Sequence, residues 1–374
     1  MDAAQLNLLT FRGAPRARGR AHGEHLAGRI QELLERWGDA LERIYGVDRR
    51  RYIELFFANT GYYRATAQWA PSVLEEVQGI AEGSGADYWA LLAFQHVNEE
   101  FEFAPRLAKL APAGEACSTI VIAPHETRPA LVAQNLDLAQ YLDGYQTLLR
   151  VNCDEGDGEI MMLSVPGMIS LMGMNSYGLA LCDNTLTQLR TDPNGVPIYA
   201  LYRLILERRC ARDARALIER TPHAVGLNWV IGDGDGVMML ERSATQTVPY
   251  GPAAHESVAY HTNHPLACTD WQNRVDGAAA PAPARSTYLR FAALHQRLHG
   301  ARAGALSAEA LIDVLRAQDD EDYPISRGGG RNSEDQHIGF TLACNIFELR
   351  PNAPTWRLAP GPPHTTAFRT FRFD

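Results

Sequence analysis

The sequence predicts an α+β protein in which helices pack in layers against antiparallel sheets, and three observations support this. Residues 1–113 place apolar side chains mostly at helical spacing. From residue 117 onward, β-branched and apolar runs alternate with turns rich in Gly, Asp and Pro, a pattern typical of hairpins. Helical patterns at 198–218, 286–298 and 307–317 interrupt these runs, and such blocks of helices and strands favour a layered fold.

Length and composition limit the classes of protein to which the chain can belong. Its 374 residues, 46% of them hydrophobic, are enough to bury a large core in one or two domains. A net charge of -9 argues against a nucleic acid or an anionic membrane surface as the main partner. Six dispersed cysteines without a Cys-x-x-Cys pair suit a reducing compartment. With no signal-peptide pattern and no apolar run of ~18 residues, we expect a cytoplasmic protein.

The N-terminal part is predicted to begin with a short strand and then to form helices. The apolar run Leu8-Leu9-Thr10-Phe11 before Pro15 fits a strand followed by a loop. Apolar residues at helical spacing over 26–41 predict a long helix, and a second helix is expected to start at Pro71. The glycines of 79–85 are expected to end that second helix.

Hairpins are predicted at 148–163, 168–184 and 228–241, and further strands at 338–373. The segment Gly-Asp-Gly-Asp-Gly at 232–236 has the residues of a calcium loop. It lacks the spaced acidic ligands and the closing Glu of such a loop, so we interpret it as a hairpin turn.

The chemistry is expected to centre on a hairpin that begins at Cys117. The run Ile-Val-Ile follows Cys117, and a Pro-containing turn leads to a second apolar run that ends in Gln-Asn-Leu-Asp at 134–137. The return strand should bring Asn135 and Asp137 close to Cys117. A thiol at the start of a rigid strand is a suitable nucleophile, although a free cysteine there is more often a small core residue.

Motifs along the chain resemble the acyl-CoA:6-aminopenicillanate acyltransferase family, which are self-processing N-terminal-nucleophile (Ntn) enzymes. The motifs are Arg-Gly-x-x-His-Gly at 18–23, Pro-x-x-x-Glu-Glu-x-x-Gly-Ile-Ala-Glu-Gly at 71–83, Asn-Glu-Glu at 98–100, Cys-Ser-Thr at 117–119 and Gln-Asn-Leu-Asp at 134–137. The resemblance runs from about residue 13 to the C-terminus. It implies the four-layer αββα sandwich of Ntn hydrolases, with a helical N-terminal segment.

The resemblance also implies that the precursor cuts itself between Ala116 and Cys117. Residues 1–116 would form the helical N-terminal chain and 117–374 the catalytic chain, which together make one compact unit. The thiol attacks the preceding carbonyl, and the small Ala116 lets that carbonyl twist towards the side chain. The freed α-amine, with a pKa of roughly 7.7–8.0, then serves as the base for the thiol.

Five further residues resemble the family's set by order and approximate spacing. Asn263, in Tyr-His-Thr-Asn-His, would donate to the oxyanion, and Arg327, in Pro-Ile-Ser-Arg, would hold charge at the site or bind a substrate carboxylate. Ser326 and Ser243 would assist processing, and Asp137 would orient the Cys117 amine. Each residue type also occurs in plain structural roles, such as a turn, a loop or a strand-end cap.

His261, His264 and Asn135 are expected to line the substrate and oxyanion environment. The two histidines are three residues apart, but they have no acidic or thiolate partner at ligand spacing. The sequence therefore predicts neither a metal site nor a cofactor. If the chain is never cut, Cys117 lacks its α-amine, and His261 or His264 is the first alternative base.

The function expected is amide hydrolysis or acyl transfer through an acyl-Cys117 thioester. The substrate would be a small amide or thioester, such as an N-acyl amino acid, a β-lactam or a peptide-like metabolite. Two alternatives stay open: a Cys–His hydrolase that acts as an uncut chain, and a non-catalytic relative that binds a small molecule. A choloylglycine-hydrolase-like enzyme would carry its cysteine almost at the start of the chain, whereas in this sequence 116 residues precede Cys117. The sequence also leaves open whether the protein forms a homo-oligomer.

Overall fold

The computed structural model describes residues 6–108, 116–252, 256–275, 277, 280, 282–301, 306–329, 339–351 and 353–373, which form ten α-helices and fourteen strands. The helices are α1 (Pro15–Tyr45), α2 (Arg49–Asn59), α3 (Tyr62–Trp69), α4 (Pro71–Ser84), α5 (Tyr88–Phe94), α6 (Val97–Leu107), α7 (Ile198–Leu206), α8 (Ala211–Arg220), α9 (Ala282–Leu298) and α10 (Ala308–Leu315). The strands are β1 (Leu8–Phe11), β2 (Ser118–Ile122), β3 (Ala130–Leu138), β4 (Thr147–Asn152), β5 (Glu159–Ser164), β6 (Met172–Asn175), β7 (Ala180–Thr185), β8 (Leu227–Gly232), β9 (Val237–Arg242), β10 (Thr247–Gly251), β11 (Val258–His261), β12 (Phe340–Leu349), β13 (Thr355–Ala359) and β14 (Arg369–Arg372).

The strands form two sheets that pack face to face between two layers of helices. The larger sheet has the order β1-β4-β5-β6-β7-β8-β9-β10 and the smaller one the order β11-β2-β3-β12-β13-β14. Strands β2 and β3 contact β7 and β8 across the interface. Helices α9 and α10 cover the outer face of the smaller sheet, while α1, α7 and α8 pack on the larger sheet. The predicted α+β four-layer αββα sandwich is confirmed.

Most of the predicted strands and hairpins are confirmed. The strand predicted at 8–11 is β1, and the hairpins predicted at 148–163, 168–184 and 228–241 are β4–β5, β6–β7 and β8–β9. The turn at 232–236 is a hairpin turn in which the Asp233 carboxylate accepts two backbone N–H groups. Among the described residues, no helix has the length and apolar character needed to cross a membrane.

The single helix predicted over 198–218 is wrong, since this segment forms α7 and α8 with a break at 207–210. Side chains from elsewhere bind the backbone at the break. The Asn175 side-chain amide donates to Leu206 O and Arg208 O, at 2.8 and 2.7 Å. The N-terminal Ala211 N–H of α8 donates to Asp233 at 2.7 Å. Because these partners are distant in sequence, local helical spacing does not show the break.

Helix α1 starts earlier than predicted, and α4 continues through the glycines that were expected to end it. The reason is the close packing of the two helices. A Cβ atom on Gly19 would lie 2.0 Å from Glu76 O, and one on Gly79 would lie 2.1 Å from Arg16 O. The glycines of both motifs therefore allow the two backbones to touch. Helix α4 ends only at Gly85, which has a φ of 68°.

Three kinds of contact join the segment before residue 109 to the rest of the protein. Strand β1 pairs with β4 in parallel, so this segment supplies one strand of the larger sheet. The Glu76 carboxylate, already paired with Arg18, also binds Arg203 on α7 at 3.1 Å. The Glu99 carboxylate accepts the backbone N–H of Ile198 at 2.8 Å, at the start of α7. The segment before residue 109 thus contacts both the larger sheet and α7.

Candidate active site

Cys117 lies directly before β2, the second strand of the smaller sheet. Its side chain is 3% exposed, and its sulfur lies 3.8 Å from the backbone oxygen of Asp137. Strand β2 is held between β11 and β3. Because Thr119 lies opposite His261 and Ser118 opposite Asn135, the neighbouring chains bring Asn263 and Asp137 to the Cys117 end of β2. The hairpin therefore returns Asp137 to the thiol, as its sequence pattern predicts.

Arg290, on α9, is the residue that joins these groups, and sequence reasoning missed it. Its side chain is fully buried. One terminal nitrogen donates to Cys117 O at 2.6 Å and to the Ser118 hydroxyl at 3.0 Å. The other donates to Asn263 Oδ1 at 3.1 Å. A single guanidinium thus links the backbone of the nucleophile candidate to the expected oxyanion donor.

A sequence signal for Arg290 did exist. Residues 290, 294 and 298 follow one another at four-residue spacing, and the latter two are the buried Leu294 and Leu298. Arg290 is therefore a charged residue on the buried stripe of an amphipathic helix. Such a residue is rarely buried without a partner, which makes it a candidate for a functional contact.

The orientation of the Asn263 side chain follows from its partners. Because Arg290 is only a donor, the atom that faces it must be the amide oxygen. The amide nitrogen donates to the backbone oxygen of Thr185 at 3.1 Å, which leaves a second hydrogen for a ligand. The backbone N–H of Asn263 is bound to the hydroxyl of Thr287 at 2.7 Å. Asn263 can therefore present one N–H to an oxyanion from a fixed position.

Asp137 is a buried carboxylate beside two cations. Its side chain is 1% exposed, and the side chain of Thr341 lies close enough to the carboxyl to hydrogen-bond with it. Burial raises the pKa of Asp137 to about 6, against the opposing effect of the positive charges of Arg327 and Arg290. Burial in turn lowers the pKa of Arg290 to about 10. Ionised Asp137 is thus costly to the fold, as is common for groups kept for chemistry.

We expect Asp137→Asn to stabilise the protein at neutral pH. Folding raises the pKa of Asp137 from 3.8 to about 6. At pH 7 the carboxyl is ionised in both states, so this shift lowers the free energy of unfolding by about 3 kcal/mol. Asp137→Asn should therefore raise the free energy of unfolding by about 3 kcal/mol at pH 7. This increase should shrink as the pH falls through 6. It should vanish below about 4, where the wild-type carboxyl is protonated in both the folded and the unfolded state. Urea unfolding at pH 7 and pH 4 measures it.

This measurement is best made in a Cys117→Ala background, so that all chains have the same covalent structure. Asp313→Asn, at an exposed position, is the control and should change the free energy of unfolding by less than about 0.5 kcal/mol. A loss of stability from Asp137→Asn at pH 7 would show instead that the two arginines hold the carboxylate in place.

Arg327 lies close to Asp137, and its side chain is half-buried. Its backbone N–H and C=O are bonded to the Thr341 hydroxyl and to Thr341 N, at 2.9 and 3.1 Å. Its charge acts on the pKa values of Asp137 and Arg290. The half-buried side chain makes no hydrogen bond or ion pair with the described residues, which suits a group that meets an anionic ligand.

His261 and His264 are both buried and engaged by neighbouring groups. The Nδ1 atom of His261 is bonded to Thr262 O at 2.6 Å, and its Nε2 atom to Glu241 at 2.8 Å. The Nδ1 atom of His264 is bonded to the Thr287 hydroxyl at 2.9 Å. Burial, assisted by nearby positive charge, lowers the pKa of His264 to about 3. Neither ring is well suited to take a proton from a thiol at neutral pH.

Of the remaining predicted residues, Asn135, Ser326 and Ser243 make hydrogen bonds away from the thiol. Ala116 is buried directly before Cys117. The Asn135 amide donates to the backbone oxygens of residues 315 and 325, at 2.8 and 2.9 Å, and so fastens the segment after α10 to β3. Ser326 is bonded to a histidine ring at position 364. Ser243 donates to the carboxylate at position 270, in the turn after β9. None of these bonds reaches the thiol.

In the part of the chain that the structure describes, no group of three or more His, Cys, Asp or Glu side chains is placed to hold a metal ion. A thiol, a buried carboxylate, an oriented amide and two arginines surround the start of β2. Such a set can form a covalent acyl intermediate and stabilise its oxyanion.

Comparisons with known proteins point to one family. Residues 125–363 match the family model of acyl-coenzyme A:6-aminopenicillanic acid acyl-transferase. The 40 kDa form of acyl-coenzyme A:6-aminopenicillanic-acid-acyltransferase from Emericella nidulans is 25% identical to this chain over 366 residues, which are 97% of this chain and 96% of that protein.

Two solved structures are similar at lower identity. A mutant form of the conjugated bile acid hydrolase from Clostridium perfringens is 12% identical, with a TM-score of 0.39 over 68% of this chain and 97% of that chain. The penicillin V acylase from Agrobacterium tumefaciens is 14% identical, with a TM-score of 0.40 over 69% of this chain and 86% of that chain. Since the family model matches more than half of its residues, the chain belongs to the acyl-coenzyme A:6-aminopenicillanic acid acyl-transferase family.

Proposed function

We propose that the chain is a self-processing enzyme that hydrolyses or transfers the acyl group of a small amide through a thioester on Cys117. The observation that carries this proposal is the link from Cys117 through buried Arg290 to the oriented amide of Asn263. Membership of an acyltransferase family supports acyl transfer or amide hydrolysis as the reaction class. The family match begins at residue 125, so the role of Cys117 rests on its geometry and its sequence motif.

The first step of the proposal is a cut between residues 116 and 117. The Cys117 thiol attacks the carbonyl carbon of Ala116, and the acyl group moves from nitrogen to sulfur. Water then hydrolyses this thioester, which leaves a carboxylate on Ala116 and a free amine on Cys117. Arg290 supports the step because it holds Cys117 O at 2.6 Å and so fixes the backbone on the far side of the thiol.

The second step is turnover by the exposed amine and thiol of one residue. A free α-amine has a pKa of roughly 7.7–8.0, so near neutral pH it can accept the thiol proton. The thiolate attacks the substrate carbonyl, Asn263 donates to the oxyanion, and the α-ammonium returns a proton to the leaving amine. Asp137 supplies the negative charge that holds this ammonium. Water or an acceptor amine then resolves the acyl-Cys117 thioester.

The substrate that fits best is a small amide bearing a carboxylate. Arg327 supports this choice, because its half-buried guanidinium lies near Asp137 and makes no ion pair with the described residues. A planar guanidinium binds a carboxylate with two parallel hydrogen bonds. An N-acyl amino acid, a β-lactam nucleus and a peptide-like metabolite all carry such a group.

An uncut Cys–His hydrolase has less support. Both ring nitrogens of His261 are occupied by bonds to Thr262 O and Glu241. His264 has a pKa near 3, too low for a base that must accept a thiol proton near neutral pH. The α-amine of Cys117 is the base that the proposed cut would create in the same residue.

The mass of the purified wild-type protein tests the proposal. We expect two chains, of residues 1–116 and 117–374, whose masses sum to that of the precursor plus one water. N-terminal sequencing of the larger chain should begin Cys-Ser-Thr. A protein that is fully active as one uncut chain would contradict the amine-base mechanism.

A further inference from the structure

We propose that Glu241 is a positioning residue that folds the loop carrying Asn263 around a single buried carboxylate. This inference rests on the proposed function, since it assigns the way in which the oxyanion donor is held in place. Glu241 lies near the end of β9 in the larger sheet and is fully buried. It contacts neither Cys117 nor the Asn263 side chain by a hydrogen bond, so its effect must pass through the loop.

The Glu241 carboxylate receives four donors, all from the chain around Asn263. Its Oε1 atom is bonded to His261 Nε2 at 2.8 Å and accepts Leu266 N–H at 2.7 Å. Its Oε2 atom accepts Ala267 N–H at 3.0 Å and Cys268 N–H at 2.6 Å. Residue 261 lies before Asn263, and residues 266–268 lie after it. The carboxylate therefore closes the loop at both of its ends.

The same loop is held on its other side by α9. The backbone N–H of Asn263 is bonded to the Thr287 hydroxyl, and the Thr262 hydroxyl donates to Thr287 O at 2.9 Å. The Asn263 side chain meets Arg290 one turn further along the helix. Asn263 is thus clamped between β9 and α9. A shift of about 1 Å in such a donor can cost about 10²-fold in rate.

A carboxylate is the chemical group that this position requires. Burial opposes ionisation of Glu241, but the bond to His261 and the backbone donors outweigh it and lower the pKa of the carboxyl. An ionised carboxylate is an acceptor only, which matches four donors. In Glu241→Gln one oxygen becomes an NH₂ group, so at least one of the four donors would face another donor. This variant therefore keeps the shape of the side chain but disrupts the hydrogen bonds that hold the loop around Asn263.

The test is a double-mutant cycle of Glu241→Gln with Asn263→Ala, in which kcat is measured per mole of cut enzyme. We expect Glu241→Gln to lower kcat by about 10-fold to 100-fold with little change in KM. In the Asn263→Ala background the same substitution should cause no further loss of kcat. A merely structural role would instead lower the unfolding temperature by the same amount in both backgrounds, and the two losses of kcat would multiply because the sites are not coupled.

Matched variants make the outcome unambiguous. Glu348→Gln, which removes the ion pair with Arg357 at the far end of β12, should leave kcat unchanged. Glu241→Asp keeps the charge but shortens its reach, and it serves as the second variant if Glu241→Gln does not fold. Wild-type kcat in both Glu241 variants, or losses that multiply with that of Asn263→Ala, would overturn the inference. Unchanged kcat in Asn263→Ala alone would contradict the oxyanion role in the proposed function instead.

Discussion

Cys117→Ala is expected to yield one uncut chain that turns over no amide substrate. Alanine has no nucleophile, so neither the acyl shift from Ala116 nor the acyl-enzyme can form. Cys117→Ser keeps a weaker nucleophile and should at most slow both steps. Intact mass measures the cut, and an assay of amine release from an N-acyl amino acid or penicillin measures turnover.

Cys344→Ala is the matched control, because Cys344 is also a fully buried cysteine of the smaller sheet. It should lose some stability from the missing sulfur and keep both cutting and turnover. Activity that survives in Cys117→Ala would exclude the thioester mechanism. A biological effect that survives without any turnover would favour a relative that binds a small molecule.

Asn263→Ala is expected to lower kcat by about 10²–10³, the usual cost of removing one oxyanion donor. The substitution should change KM little, because the bond forms fully only in the transition state. Asn263→Asp tests the loss of the N–H donor while the shape of the side chain is kept. It keeps the oxygen that faces Arg290 but has no N–H, so its loss of kcat should be as large as that of alanine. Steady-state kinetics on the cut protein measures both.

Asn345→Ala is the control for this pair. The Asn345 side chain accepts a hydrogen bond from Trp356 at 3.2 Å within the core. Its removal should reduce the free energy of unfolding by about 1–3 kcal/mol and leave kcat unchanged. If Asn263→Asp were as active as wild type, the amide would not donate to the oxyanion, and another donor would have to be sought.

Local patterns predict the elements of this fold well, and contacts between distant segments explain where they fail. Alternation of apolar residues and turns placed the hairpins, because each depends on neighbouring residues only. The break between α7 and α8 was missed since its partners are distant in sequence: Asn175 is at the end of β6, and Asp233 is in the turn between β8 and β9. The glycines Gly79 and Gly83 looked like a helix end, but they exist to admit another backbone.

Local patterns likewise predict some residues of the candidate site and miss others. The hairpin pattern is enough to bring Asp137 back to Cys117, and the motif order points to Asn263. Arg290 was overlooked because a helix pattern shows that a position is buried without showing what it touches. Glu241 was overlooked because three of its four donors are backbone groups of another segment. Residues that bind main-chain atoms leave no motif in a single sequence.

The parallel pairing of β1 with β4 bears on how the protein could be recovered after denaturation. In a chain cut as proposed, β1 and β4 belong to different polypeptides, so restoring the larger sheet requires two molecules to meet. In the precursor the same strands are tethered, which gives them a high effective concentration. Self-cleavage would therefore convert a first-order folding reaction into a bimolecular one, and activity lost on unfolding in dilute solution would not return.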